Sequence, residues 1–138
     1  MSHENSEKSL SKISVRDVMS GSIISADPST TVYQIAKLME KGEVGAIFVK
    51  KDNRPTGIIT DRDFAIKIAS QKYPFDTPVH KVASYPLQTI DVNESIGFAA
   101  YLMSEKKIRK LAVVENKKVV GIVTSTNLVK QLALMYDK

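Results

Sequence analysis

The chain contains itself twice. Gly57-Ile58-Ile59-Thr60 recurs as Gly121-Ile122-Val123-Thr124, an offset of 121 − 57 = 64. At that offset residues 13–69 lie over 77–133 without a gap, and 12 of the 57 aligned positions are identical. Ordinary composition gives roughly one chance identity in fifteen, so the repeat is genuine. Among the identities are Val15/Val79, Val18/Val82, Ser20/Ser84, Asp27/Asp91 and Met39/Met103. A fold for this chain must therefore be one small unit made twice, and a unit of about 60 residues buries too little surface to stand comfortably alone.

Each copy carries the same order of signals. A short segment at Val15–Met19 (Val79–Ala83) leads to an apolar stretch at Ile23–Ala26 (Leu87–Ile90). Thr31-Val32-Tyr33-Gln34 reads as a capping box opening a helix, and Gly42 as its end. The stripe Val32, Ile35, Ala36 and Met39, matched by Ile96, Ala99, Ala100 and Met103, predicts the buried face of that helix. Two strands joined as a hairpin follow, with a polar turn at Lys51–Pro55 (Glu115–Lys118). A closing helix is expected to turn Phe64, Ile68 and Ala69 inward in one copy and Leu128, Leu132 and Ala133 in the other. The fold class is thus α/β, two β-α-β-β-α repeats. The division is a flexible N-terminal tail at 1–12, repeat 1 at 13–71, a linker at 72–76 and repeat 2 at 77–138.

Composition narrows the functions. There is no cysteine, which removes disulfides and thiolate chemistry. His3 and His80 lack partners at ligand spacing, so no metal site is expected. No apolar run is long enough to span a bilayer and no signal-peptide pattern opens the chain, so a cytoplasmic location without membrane association is expected. The net charge of +5 is a mild bias toward anionic partners, and lysines spread over solvated faces are its bland explanation. With no nucleophile–base pair visible, an enzyme is not expected and no catalytic cofactor is assigned.

The repeat length, the order of elements, Val15-Arg16-Asp17-Val18-Met19, Gly57-Ile58-Ile59-Thr60-Asp61-Arg62-Asp63 and Ile108-Arg109-Lys110-Leu111-Ala112-Val113-Val114 together resemble the cystathionine-β-synthase-type (CBS) domain family. The resemblance covers nearly everything from Ile13 onward. It implies two repeats packed sheet to sheet with pseudo-twofold symmetry, two clefts between them that take adenosine-containing ligands, and homodimerisation through helices. It also implies a regulatory role, with output to a separate, unknown partner protein.

The resemblance points to particular residues. Thr60 begins a helix, where free N–H groups and the positive dipole end favour an anion, and Asp63 one turn later can accept from both ribose hydroxyls. In the family Thr-x-x-Asp does this work, with Arg62 as a further phosphate candidate. The same spacing is close to a capping box, in which Thr60 and Asp63 serve only the helix. The second copy has Thr124 and Asn127, and a neutral amide offers one oxygen acceptor beside its donor, so the two clefts are expected to be unequal with the Asp63 cleft the better ribose site. Arg109 and Lys110 stand where the first copy has Gly45 and Ala46, and are phosphate candidates. Alternation along a strand puts those two on opposite faces. By position Ile24, Val44 and Gly45 line one adenine pocket, and Gln88, Ile108 and Arg109 the other. The expected function is an adenine-nucleotide sensor of the AMP, ADP or ATP class. Nucleic-acid binding, suggested by charge but unsupported by aromatics or motif, and a nucleotide-independent interaction protein are the alternatives.

Overall fold

The computed structural model describes residues 10–136. Residues 1–9, which include His3 and most of the expected tail, lie outside the described residues. Strand β1 (Ser25–Ala26), helix α2 (Val32–Gly42), strands β2 (Ala46–Lys51) and β3 (Arg54–Thr60) and a closing helix α3 starting at Asp61–Asp63 follow a short helix α1 (Val15–Val18). The order then repeats as a 3-10 turn at Val79–Lys81, β4 (Thr89–Asp91), α4 (Ile96–Lys106), β5 (Lys110–Glu115), β6 (Lys118–Thr124) and α5 (Ser125–Leu134). Each copy makes a three-stranded sheet, β1-β2-β3 or β4-β5-β6, with a parallel first pair and an antiparallel second pair. This is the expected α/β repeat.

Local chemistry explains the elements. Thr31 Oγ1 accepts from the Gln34 amide at 3.2 Å while Gln34 Oε1 accepts from the Thr31 amide at 3.0 Å, the reciprocal cap that the sequence signals. The hairpin turns are tighter than expected. Asp52 and Asn53 (φ 53° and 62°) and Asn116 and Lys117 (φ 51° and 66°) are left-handed pairs, which match the twist of the flanking strands. Helix α2 ends through Glu43 at φ 53°, not through a left-handed Gly42, and Lys107 at φ 55° does the same for α4. Gly42 is small for another reason: a Cβ there would lie 2.8 Å from Ile24 Cδ1.

The stripes need correction as well. Val32, Ile35, Ile96, Ala99 and Met103 are buried, but Ala36 and Ala100 are exposed. Ala69, Leu132 and Ala133 also face outward, because the closing helices bury only their first two turns, through Ile68 and Leu128. The closing helix of the first copy winds as a π-helix over Phe64–Ala69, whereas its counterpart α5 is a regular α-helix.

The compact units do not coincide with the sequence repeats. One unit comprises residues 23–87; the other joins the N-terminal segment through Ser22 to everything from Gln88 onward. Val79 and Val82, which open repeat 2, are buried in a core with Ile35, Ile47, Val49 and Ile59 of repeat 1. Reciprocally, Val15 is fully buried among Ile90, Val92, Ile96 and Leu111 of repeat 2, and Leu10 packs on that core instead of belonging to a loose tail. Register confirms the exchange. Ser20 bridges Ile122 and Ser84 bridges Ile58; Ser14 bridges Ser95 and Pro78 bridges Thr31. Each bridge maps on its counterpart with the same offset of 64, as in 84 − 20 and 122 − 58.

The glycine shared by the two copies follows from this exchange. The opening segment runs directly over it, so a Cβ on Gly57 would meet the Tyr85 ring at 2.4 Å and one on Gly121 would meet the Ser20 carbonyl oxygen at 2.6 Å. Neither glycine has a positive φ, so close approach alone demands it. Among the described residues no helix is long and apolar enough to cross a membrane.

Candidate functional site

In the unit of residues 23–87 the candidate residues come from three places that the fold brings to one end of the sheet. Strand β3 ends at Thr60, which pairs with Ala46 at the start of β2. The Asp61 amide donates to the Gly45 carbonyl at 3.0 Å, holding the start of α3 against the Val44–Gly45 entry to β2. The Ile24 carbonyl accepts from the Phe48 amide at 2.9 Å, and the Ile24 side chain lies beside Gly42, with Val44 next to it. Ile24, Val44, Gly45, Thr60 and Asp63 are therefore neighbours. Arg62 is exposed on the first turn of the helix.

Asp63 is the buried group at this end, only 9% exposed. Its Oδ2 accepts from the Thr60 amide at 2.8 Å and from the Thr60 hydroxyl at 3.1 Å, while the Asp63 amide donates to Thr60 Oγ1 at 3.3 Å. The capping-box alternative is thus realised in full. It occupies one carboxylate oxygen, and a carboxylate has about four lone-pair positions to offer. The other oxygen, Oδ1, lies 3.5 Å from the Lys67 ammonium. Lys67 escaped the sequence reading. Its spacing of four from Asp63 was the available signal, being that of a helical ion pair.

The second unit repeats the arrangement with different chemistry. Lys110 pairs with Thr124, the Ser125 amide donates to the Arg109 carbonyl at 2.8 Å, and the Gln88 carbonyl accepts from the Ala112 amide at 2.9 Å. Ile108 is half-buried against the core. Asn127 Oδ1 accepts from the Thr124 amide at 2.8 Å and from its hydroxyl at 3.0 Å. The oxygen that caps the helix is equivalent in the two copies. What differs is the second atom: an anionic acceptor in Asp63, an amide donor in Asn127.

Charge diverges in the same way. Gly45, Ala46 and Asp61 of the first unit are replaced by Arg109, Lys110 and Ser125. Asp61 Oδ2 lies 3.0 Å from where a Gly45 Cβ would be, and its Oδ1 accepts from the Arg62 amide at 2.9 Å, so a carboxylate stands over Gly45. In the second unit Arg109 is exposed and Lys110 half-buried at the equivalent place. His80 is exposed, and among the described residues no cluster of His, Cys, Asp and Glu is suited to a metal ion.

Comparison with known proteins identifies the family. The CBS domain model matches residues 15–70 and 79–134. The chain is 36% identical over 115 residues to the CBS domain-containing protein YhcV of Bacillus subtilis, covering 83% of this chain and 82% of that one. Other relatives are longer, and the chain spans 62% and 59% of two of them. Among solved structures, an uncharacterized conserved protein from Pyrococcus horikoshii superimposes with a TM-score of 0.86 at 26% identity, covering 93% of this chain and 98% of that one. The CBS domain pair of protein MJ0100, solved in complex with 5′-methylthioadenosine and S-adenosyl-L-methionine, does so with a TM-score of 0.81 at 25% identity, covering 89% and 98%. With both repeats matched and a relative of this similarity, the chain belongs to the CBS domain family, as a tandem pair.

Proposed function

We propose that the protein is a cytoplasmic regulatory module that binds an adenine nucleotide of the AMP, ADP or ATP class and passes the occupancy of its sites to a separate protein, without catalysing a reaction. The observation that carries this reading is the Asp63 carboxylate, buried at a helix start with one oxygen spent on the cap and the other left beside Lys67. Ribose hydroxyls donate to such an oxygen. Thr60, Gly45, Val44 and Ile24 form the surroundings, the last two offering apolar contact for a purine. Arg109 or Lys110, which strand alternation sets on opposite faces, supplies positive charge to the second site, where Asn127 can bond a hydroxyl but less strongly than a carboxylate. Arg62, Gln88, Ile108 and Thr124 complete the proposed set. The adenosine ligands of the MJ0100 pair support the ligand class.

A thermal-shift series with AMP, ADP, ATP, S-adenosylmethionine, NADH and a short oligonucleotide tests the reading. A specific nucleotide raises the melting temperature by mass action. No shift at millimolar nucleotide, with salt-sensitive binding of the oligonucleotide, overturns it in favour of nucleic-acid binding. The outward residues Phe98, Tyr101, Val129 and Leu132 on α4 and α5 are proposed to meet a second copy, and light scattering with and without ligand reads that association.

A further inference from the structure

Lys67 has three N–H donors and three acceptors around it. Its ammonium donates to the Val82 carbonyl at 3.2 Å and to the Ser84 hydroxyl at 3.1 Å, and lies 3.5 Å from Asp63 Oδ1. Two of those acceptors belong to the segment that opens repeat 2, the third to the proposed ribose carboxylate. The same segment is fastened to β3, because Ser84 donates to the Ile58 carbonyl at 2.8 Å and accepts from the Ile58 amide at 3.2 Å. One cation therefore ties the proposed ribose carboxylate to the segment that opens repeat 2. The second unit has Gln131 at the equivalent place, since 131 − 67 = 64, and beside it the neutral Asn127. The charged pair of one unit is a neutral pair in the other.

We infer that Lys67 is a positioning residue for Asp63 and the element through which occupancy of the first site reaches the Val82–Ser84 segment. The inference rests on the function proposed above. Held at Oδ2 by Thr60 alone, the carboxylate can swing about that anchor; Lys67 fixes Oδ1 as well. When ribose hydroxyls donate to Oδ1 they share its lone pairs with the ammonium. Lys67 then leans on its two other acceptors, and the contacts of Val82 and Ser84 tighten. The ion pair is part-exposed, with Lys67 side-chain exposure of 37% against 12% for Asp63.

The test uses the full chain, with ADP as the probe, in wild type, Lys67→Gln, Lys67→Arg and Ser84→Ala. Calorimetry gives affinity, and amide hydrogen exchange at residues 82–85 gives the response at matched occupancy. The glutamine variant, which copies Gln131, is expected to bind ADP about tenfold more weakly and to lose the ADP-dependent slowing of exchange at 82–85, as follows from deleting a charge-assisted bond. The arginine variant is expected to restore both. Ser84→Ala leaves Asp63 and Lys67 in place and is expected to keep the affinity but lose most of the exchange response, which covers the case of a glutamine variant that fails to fold. Wild-type affinity and response in the glutamine variant, or an undiminished response in the alanine variant, overturns the inference and leaves the nucleotide reading standing. A wild-type protein that binds no adenine nucleotide overturns both.

Discussion

Ser20 and Ile122 exchange two backbone hydrogen bonds, at 2.8 Å and 2.9 Å, although 102 residues separate them (122 − 20). Ser84 and Ile58, the pair related to them by the repeat, do the same at 2.8 Å and 3.2 Å. Each opening segment thereby completes the sheet of the other repeat. Val15 and Val79 are both fully buried, each in a core built largely from the opposite copy. Truncating either to alanine is expected to cost about 2 kcal/mol, from lost burial and a residual cavity. The location of the damage is the sharper readout. Val15→Ala should speed hydrogen exchange in residues 88–136, and Val79→Ala in residues 23–87. The opposite assignment would show that each repeat is self-contained.

The two repeat glycines should differ in what they tolerate. A Cβ on Gly121 meets backbone, the Ser20 carbonyl oxygen at 2.6 Å, while one on Gly57 meets the ring of Tyr85, a side chain that is 47% exposed and able to rotate away. Gly121→Ala is expected to destabilise by about 2–3 kcal/mol and Gly57→Ala by about 1 kcal/mol, within the usual range for overpacking. Denaturant midpoints at constant slope would check the order.

Replacing the proposed ligand-facing atoms should reproduce the proposed inequality of the sites. Asp63→Asn preserves the cap, as Asn127 shows, and turns the second atom from acceptor into donor. It is expected to weaken nucleotide binding about tenfold, the worth of one charge-assisted bond. Asn127→Ala should reduce affinity by a smaller factor. Calorimetric isotherms that respond equally to the two changes would remove the claim of unequal sites.

The basic pair of the second unit gives a different signature. Arg109→Ala is expected to weaken ATP more than adenosine, and to flatten the dependence of ATP affinity on ionic strength, because an exposed cation acts through a screened field. A loss that is the same for both ligands at every salt concentration would assign Arg109 to shape and not to phosphate.

Tyr85 titrates late. Partial burial penalises its phenolate and raises the pKa above the ordinary tyrosine value of about 10. The folded state then holds the proton more tightly than the unfolded one, so the associated stability is present below the unfolded value and is lost as pH rises through the folded one. An ultraviolet titration should show a late component that Tyr85→Phe removes.

What the sequence disclosed was what depends on near neighbours. The Thr31–Gln34 box and the Thr60 cap are settled within a few residues and appear as the pattern predicts, and the hairpins appear with tighter turns than it predicts. The exchange of opening segments was invisible for a physical reason. Val15 and Val79 are the same residue in the same motif, so either fits either core, and no periodicity distinguishes self from sibling. The outward turn of Ala36, Ala69, Leu132 and Ala133 depends on how much helix each small sheet can cover, which spacing alone does not state. At the site, Thr60 and Asp63 were legible as a local motif. Lys67 was not, because two of its partners lie 15 and 17 residues away.

The exchanged segments also set a timetable for synthesis. The unit of residues 23–87 is contiguous, so it holds every strand and all four buried valines of its core once Leu87 has left the ribosome. The other unit is discontinuous: Val15 is made before any of the residues it packs among, of which Ile90, Val92 and Ile96 come early and Leu111 and Val123 later. Its N-terminal stretch must wait, exposed, until those later residues follow. The strands that emerge late are the ones that finish covering Val15.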